Sequence, residues 1–162
     1  MPYSDAVSEE RAPEFEDHWR AFDAVVAYTH ELVGGAATYD LGYVANGAIG
    51  VLDVTPTNVR ARPISLIAEQ YFTVTVGDNG GRWELSYSDD DIDLVRGIID
   101  ATVAGRVEER SALGRSRVTV TLGDGRTRHE TGYFGCATLL VPQLGWTRWG
   151  KLTSYEPYNP DH

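Results

Sequence analysis

Apolar residues recur every three to four positions between Pro13 and Val33, and this spacing predicts a first amphipathic helix. The apolar positions are Phe15, Trp19, Phe22, Val26 and Leu32 or Val33. Pro13 suits the first turn, because the N–H that proline lacks would have no partner there. Acidic residues early in the segment complement the positive end of the helix dipole, and Gly34-Gly35 ends the helix.

Between Thr38 and Tyr87 the pattern changes to short runs rich in β-branched and aromatic residues. We predict a meander of five antiparallel strands, at 38–45, 49–54, 58–65, 71–76 and 83–87. In the last hairpin, alternation places Phe72, Val74 and Val76 on one face, and Asn79-Gly80 signals the turn.

A second helix is predicted for 88–105, where Ile92, Val95, Ile99 and Val103 form the apolar stripe. A second hairpin follows, with strands at 117–122 and 126–133. Together these elements predict one α+β domain over residues 1–162, in which an antiparallel β-sheet carries two amphipathic helices packed on one face. We expect residues 1–12 to be flexible and the aromatic C-terminal tail, residues 144–162, to pack on the sheet.

The charge balance restricts the partners that the chain can have. The sequence has 24 acidic and 14 basic residues, a formal net charge of −10 at pH 7. Because contact with phosphates needs a surplus of Lys and Arg, this balance argues against nucleic-acid binding and favours a basic protein partner. Arg106, Arg110, Arg115 and Arg117 form a local basic cluster that can bind an anion, and we interpret it as a solvated face paired with neighbouring glutamates, Glu108 and Glu109.

Apolar runs are too short to suggest a membrane segment. Runs such as 24–28 and 139–141 are far below the roughly 18 residues of a typical span, so no membrane association is expected. The first ten residues lack the basic and apolar regions of a secretory signal, which predicts a cytoplasmic location. The single cysteine, Cys136, is interpreted as a small buried residue.

The sequence contains no complete local motif for a metal, a cofactor or a catalytic group. Asp89, Asp91 and Asp93 have the odd spacing of a calcium loop, but Leu94 stands where that loop needs glycine. We therefore interpret these acids as helix caps. The four histidines lack the spacing of metal ligands. We expect no metal and no cofactor, and the balance leans towards a non-catalytic protein, although sites spread over strands leave no local signature.

The aromatic tail contains the candidate binding residues Trp146, Arg148, Trp149, Tyr155 and Tyr158. Exposed Trp, Tyr and Arg are enriched at the hot spots of protein interfaces. The alternative is that these large side chains bury area in the core or at its edge.

One half of the chain resembles a group of known proteins. The stretch from Trp83 to Tyr158 contains Gly-Arg-Ser-Arg-Val-Thr-Val-Thr-Leu and ends in Gly-Trp-Thr-Arg-Trp-Gly-Lys-Leu-Thr-Ser-Tyr-Glu-Pro-Tyr. It resembles small uncharacterised actinobacterial proteins. Some similar acidic α+β proteins are immunity proteins of polymorphic toxin systems, which bind and block a cognate toxin. The resemblance implies an immunity-type inhibitor and carries over no site residue.

Three functional hypotheses follow. The favoured one is a non-catalytic protein-binding module, an immunity-type inhibitor of a basic partner such as a nuclease toxin. The second is a small-molecule enzyme or ligand-binding protein with a pocket between the N-terminal helix and a curved sheet, lined by Tyr39, Tyr43, Tyr71 and Trp83. The third is a homo-oligomer, such as a homodimer, that assembles through a sheet edge or the tail.

Overall fold

The structure is a computed structural model that describes residues 16–45, 47–77, 80–134 and 144–160. Predictions for residues 1–12, for Asn79 and for Cys136 fall outside these ranges. The described elements follow one another in this order: helix α1 (Glu16–Val33), a 3₁₀ turn (Gly34–Ala36), strands β1 (Ala37–Val44), β2 (Ile49–Pro56), β3 (Ile64–Ala68), β4 (Phe72–Val76) and β5 (Arg82–Leu85), helix α2 (Asp89–Val103), strands β6 (Val107–Ala112), β7 (Arg115–Thr121) and β8 (Thr127–Tyr133), the one-turn helix α3 (Trp146–Trp149) and strand β9 (Lys151–Ser154).

Strands β1 to β5 form the first sheet as an antiparallel meander, which confirms the predicted run of five strands. The third strand begins at Ile64, later than predicted. Asn58 starts a turn before it, since its backbone oxygen accepts a hydrogen bond from the Ala61 N–H and its side chain accepts one from Arg60. Pro63 follows that turn and has no N–H for a sheet ladder.

The remaining strands form a second antiparallel sheet in the order β8-β7-β6-β9. The α+β class is confirmed, but the strands divide between two sheets where one was expected. Strands β6 and β9 were not predicted. The sequence of β6, Val-Glu-Glu-Arg-Ser-Ala, reads as a run of charges, and β9 lies in the tail, for which no strand was predicted.

One hydrophobic core joins the helices to both sheets. Helix α1 packs on β2 and β3, while α2 packs on α1, β5 and β7 and so bridges the two sheets. The approach of α1 is close at Gly50, where an added Cβ would lie 2.7 Å from the Phe22 ring. Phe72, Val74 and Val76, which alternation placed on one face of β4, are fully buried, and the centroid of the Phe72 ring lies 6.1 Å from that of the Phe22 ring on α1.

Ser88 is the N-cap of α2, while Asp89 and Asp91, which were predicted as caps, lie in the first turn, where they complement the helix dipole. The Ser88 side chain accepts a hydrogen bond from the Asp91 N–H, and the Asp91 carboxylate accepts from the Ser86 N–H (2.8 Å) and hydroxyl (2.5 Å). These bonds from Ser86 lower the pKa of Asp91 below its ordinary value. Among the described residues, no helix is both long enough and apolar enough to cross a membrane.

Candidate functional site

A buried ionic cluster lies where the two sheets and the tail meet. Glu109 on β6 is 7% exposed. Its carboxylate accepts hydrogen bonds from the Ser116 hydroxyl, the Tyr155 hydroxyl (2.7 Å) and the Arg62 guanidinium. The Arg62 guanidinium carbon also lies 4.4 Å from the centroid of the Tyr155 ring.

The surroundings of Glu109 keep it ionised. Burial alone would raise the pKa of Glu109, but hydrogen bonds from Ser116, Tyr155 and Arg62, with the charge of Arg62, outweigh burial and hold the pKa below its ordinary value. Three donors already bind this carboxylate, so it is poorly suited to accept a substrate proton. We interpret the cluster as a set of structural contacts that stabilises the junction between the two sheets.

Glu109 does not lie on a solvated face beside the basic cluster, as the sequence interpretation had it. In strand β6 the inward positions alternate, and Val107 and Glu109 share the buried face while Glu108 is exposed. The period-two spacing of Val107 and Glu109 could have identified this arrangement from the sequence. A buried position for Glu109 was not expected, however, because its partner Arg62 lies 47 positions away in the sequence.

The five candidate residues of the tail divide into two groups. Tyr158 is 1% exposed, and its hydroxyl donates a 2.6 Å hydrogen bond to the backbone oxygen of Arg62. Burial raises the pKa of Tyr158 well above its ordinary value, so this hydroxyl stays a donor. Because Tyr155 belongs to the Glu109 cluster, these two tyrosines anchor the tail and offer little surface to a partner.

Trp146, Arg148 and Trp149 lie on α3, against the outer face of the second sheet. Trp146 is 8% exposed, while Trp149 is 58% exposed and Arg148 is exposed as well. The Trp149 indole N–H donates a 3.1 Å hydrogen bond to the Leu144 backbone oxygen. Of the five predicted binding residues, Arg148 and Trp149 are therefore the accessible ones.

The pocket predicted between α1 and the first sheet is occupied by protein side chains. Tyr43 packs edge-on against Trp19, with ring centroids 5.8 Å apart, and Tyr39 stacks against a histidine of α1. Trp83 is 6% exposed in the core, whereas Tyr71 is 52% exposed. The four predicted lining residues therefore do not converge on one cavity.

A different cavity opens at the carboxyl ends of α1 and α2. This helix-end groove has a volume of about 1080 Å³ and is lined by those two helix ends and by residues 157–160 of the tail. It contains two carboxylates, Glu31 and Asp100, and one guanidinium, Arg106. Within the described ranges, neither carboxylate takes part in an ion pair.

The groups that line the groove are held in place by their neighbours. Asp100 accepts a 2.5 Å hydrogen bond from the Tyr28 hydroxyl. Burial, together with this hydrogen bond, raises the pKa of Tyr28 to about 12, so the hydroxyl remains a donor. The Arg106 side chain donates to the Thr121 backbone oxygen at 3.0 Å. The Glu31 side chain makes no hydrogen bond within the described part of the chain and is exposed to solvent.

Metal binding finds no support in the part of the chain that the structure describes, where no three His, Cys, Asp or Glu residues group closely enough to hold an ion. Comparisons with family models, with curated proteins and with solved structures found no match for the chain.

Proposed function

We propose that the chain is a non-catalytic protein-binding module, an immunity-type inhibitor that acts in the cytoplasm and blocks a basic partner such as a nuclease toxin. The observation that carries this proposal is the helix-end groove, in which Glu31 and Asp100 lie without an ion pair within the described ranges. A groove of this charge suits a lysine or arginine side chain of the partner.

The helices add to the negative potential of the groove. Helices α1 and α2 have 18 and 15 residues, and both present their carboxyl ends to it. The carboxyl end of a helix acts as roughly half a negative charge. Two carboxylates and two helix ends, partly offset by the positive charge of Arg106, give the groove a local charge of about −2. The net charge of −10 steers a basic partner towards the same protein at longer range.

A second candidate function is the binding of a small cationic molecule in this groove, which the volume of about 1080 Å³ favours. Small-molecule sites usually enclose most of their ligand, however. Glu31 and Leu32 on the rim are exposed, and Leu32 is 39% exposed, so a side chain reaching in from a protein surface fits the groove better.

The test is binding and protection with the product of the adjacent gene. The two proteins are purified together, affinity is measured by calorimetry, and survival of cells that express the partner is scored. Glu31→Arg should weaken binding about tenfold, because it reverses a charge at the contact. Asp53→Arg, at an exposed position of β2, makes the same charge change away from the groove and should leave the affinity nearly unaltered.

Binding should also weaken as salt is raised, since the contact is largely electrostatic. The proposal fails if the adjacent product neither binds the chain nor harms cells that lack it. Equal losses in Glu31→Arg and Asp53→Arg would place the contact outside the groove. Tight binding of spermidine, with no protein contact, would favour the small-molecule candidate.

A further inference from the structure

The outer face of the second sheet carries several arginines and one exposed carboxylate, Glu108, which forms no ion pair within the described part of the chain. Arg110 on β6 lies directly opposite Arg117 on β7. Like charges in opposed positions of a sheet repel each other and lower its stability. Arg110, Arg117 and Arg148 take part in no ion pair in the described part of the chain.

Neutral groups hold the guanidinium groups of Arg110 and Arg117 in place instead. Arg110 donates to the Gly150 backbone oxygen at 3.0 Å, and the Nε of Arg117 donates to the Thr131 hydroxyl at 3.0 Å. The guanidinium carbon of Arg117 also lies 5.7 Å from the centroid of the Trp146 ring. Backbone oxygens, hydroxyls and aromatic rings orient an arginine without cancelling its charge. The guanidinium groups therefore keep a positive charge that an anion can bind.

Large apolar side chains surround the arginines and remain exposed. Trp149 is 58% exposed, Tyr133 is 66% exposed and Leu152, which pairs with Arg110 across β6 and β9, is 46% exposed. Interfaces between proteins are enriched in this combination of Trp, Tyr and Arg. We call the surface formed by Arg110, Arg117, Trp146, Arg148 and Trp149 the arginine–tryptophan face.

We propose that the arginine–tryptophan face binds an acidic segment of a partner protein. Carboxylates of the segment would pair with the guanidinium groups, where a planar fork of donors matches a carboxylate. Apolar residues of the segment would cover Trp149 and Leu152. A nucleic acid fits less well, because a long polyphosphate would be repelled by the net charge of −10, whereas a short acidic segment meets only the local cations.

This surface is separate from the helix-end groove, and its ligand is acidic, whereas the ligand proposed for the groove is basic. The proposal stands whether or not the groove binds a basic partner, because it rests on different residues. It gives the exposed residues of the tail, Arg148 and Trp149, a role that the acidic groove does not.

The experiment uses a fluorescein-labelled peptide that interleaves Glu with Leu, and fluorescence anisotropy with the full chain. Arg148→Glu and Trp149→Ala should each weaken peptide binding about tenfold, because one reverses a contact charge and the other removes an aromatic anchor. Arg148→Lys should give a smaller loss, since lysine keeps the charge without the fork. The three variants change exposed side chains, and thermal unfolding checks that they fold.

The matched control is Arg128→Glu, an exposed position on β8 that the strand register places on the opposite face of the same sheet. It makes the same charge change as Arg148→Glu and should leave peptide affinity within about twofold. Absence of peptide binding overturns the proposal, and so does an equal loss in the control. Tighter binding of oligothymidylate than of the peptide would overturn it in favour of a single-stranded nucleic acid.

Discussion

Replacing Glu109 by Gln removes one charge from the buried cluster that joins the two sheets. The side chains of Glu109 and Arg62 are 10% and 17% exposed, so Arg62 would keep its charge in a largely dehydrated position. Breaking a buried pair by removing one partner costs about 3–5 kcal/mol. Because water still reaches part of Arg62 and the amide oxygen of Gln still accepts a hydrogen bond, we expect the lower end, about 3 kcal/mol.

Urea unfolding followed by tryptophan fluorescence measures this loss as a lower midpoint at an unchanged m value. For a chain of this size, a loss of about 3 kcal/mol corresponds to a melting temperature lower by about 6–12 °C. Glu108→Gln is the matched control, because Glu108 is exposed on the same strand. We expect that control to stay within about 0.5 kcal/mol of the parent.

A double-mutant cycle with Arg62→Met separates the ion pair from general damage. Arg62→Met alone leaves Glu109 charged and buried, while the double variant removes both charges. We therefore expect the double variant to lose less than the two single losses added together, by about 2 kcal/mol. Additive losses, or a loss under about 1 kcal/mol in Glu109→Gln, would refute the assignment of a buried ion pair.

The pH dependence of the same pair gives an independent check. The pKa of Glu109 is lower in the folded protein than its ordinary value of 4.5. Its contribution to stability is therefore complete above the unfolded pKa and disappears as the pH falls through the folded pKa. The difference in stability between the parent and Glu109→Gln should be constant near neutral pH and should shrink below about pH 4.5.

Two further substitutions test the first sheet. Gly50→Ala places a Cβ 2.7 Å from the Phe22 ring, so we expect a loss of about 2 kcal/mol in urea unfolding, whereas Gly42→Ala meets no atom within 4 Å and should be nearly neutral. Asp53 lies directly opposite Asp40, and Asp53→Thr should therefore raise stability by about 0.5 kcal/mol, a gain that shrinks as salt screens the repulsion. An unchanged stability in Gly50→Ala would contradict the close packing of α1 on β2, and an Asp53→Thr less stable than the parent would contradict the register of β1 and β2.

Much of the fold was accessible from local patterns. Helices α1 and α2 and the meander of the first sheet follow from apolar spacing, because periodicity along a few turns or strand residues reports directly which face is buried. One predicted helix signal was also confirmed, since Gly34-Gly35 follows the end of α1. The N-cap of α2, however, is Ser88 and not one of the acidic residues that were predicted as caps. The α+β class followed from these elements without any knowledge of their contacts.

Strands β6 and β9 show where the local pattern failed. The buried Glu109 broke the apolar alternation of β6, and β9 has the composition of an exposed segment because it adds to the edge of a sheet. Both strands depend on partners distant in sequence. Their pairing is a tertiary property that no window of neighbouring residues contains.

The candidate sites divide in the same way. The sequence by itself determined which side chains are present for binding: an excess of acidic residues, a cluster of arginines and an aromatic tail. Only the tertiary structure decided that Tyr155 and Tyr158 turn inward, that Arg148 and Trp149 stay accessible, and that Glu31 and Asp100 meet at one groove. Charge and aromatic content are sums over residues, whereas a binding surface depends on which side chains the packing of distant elements buries and which it leaves in water.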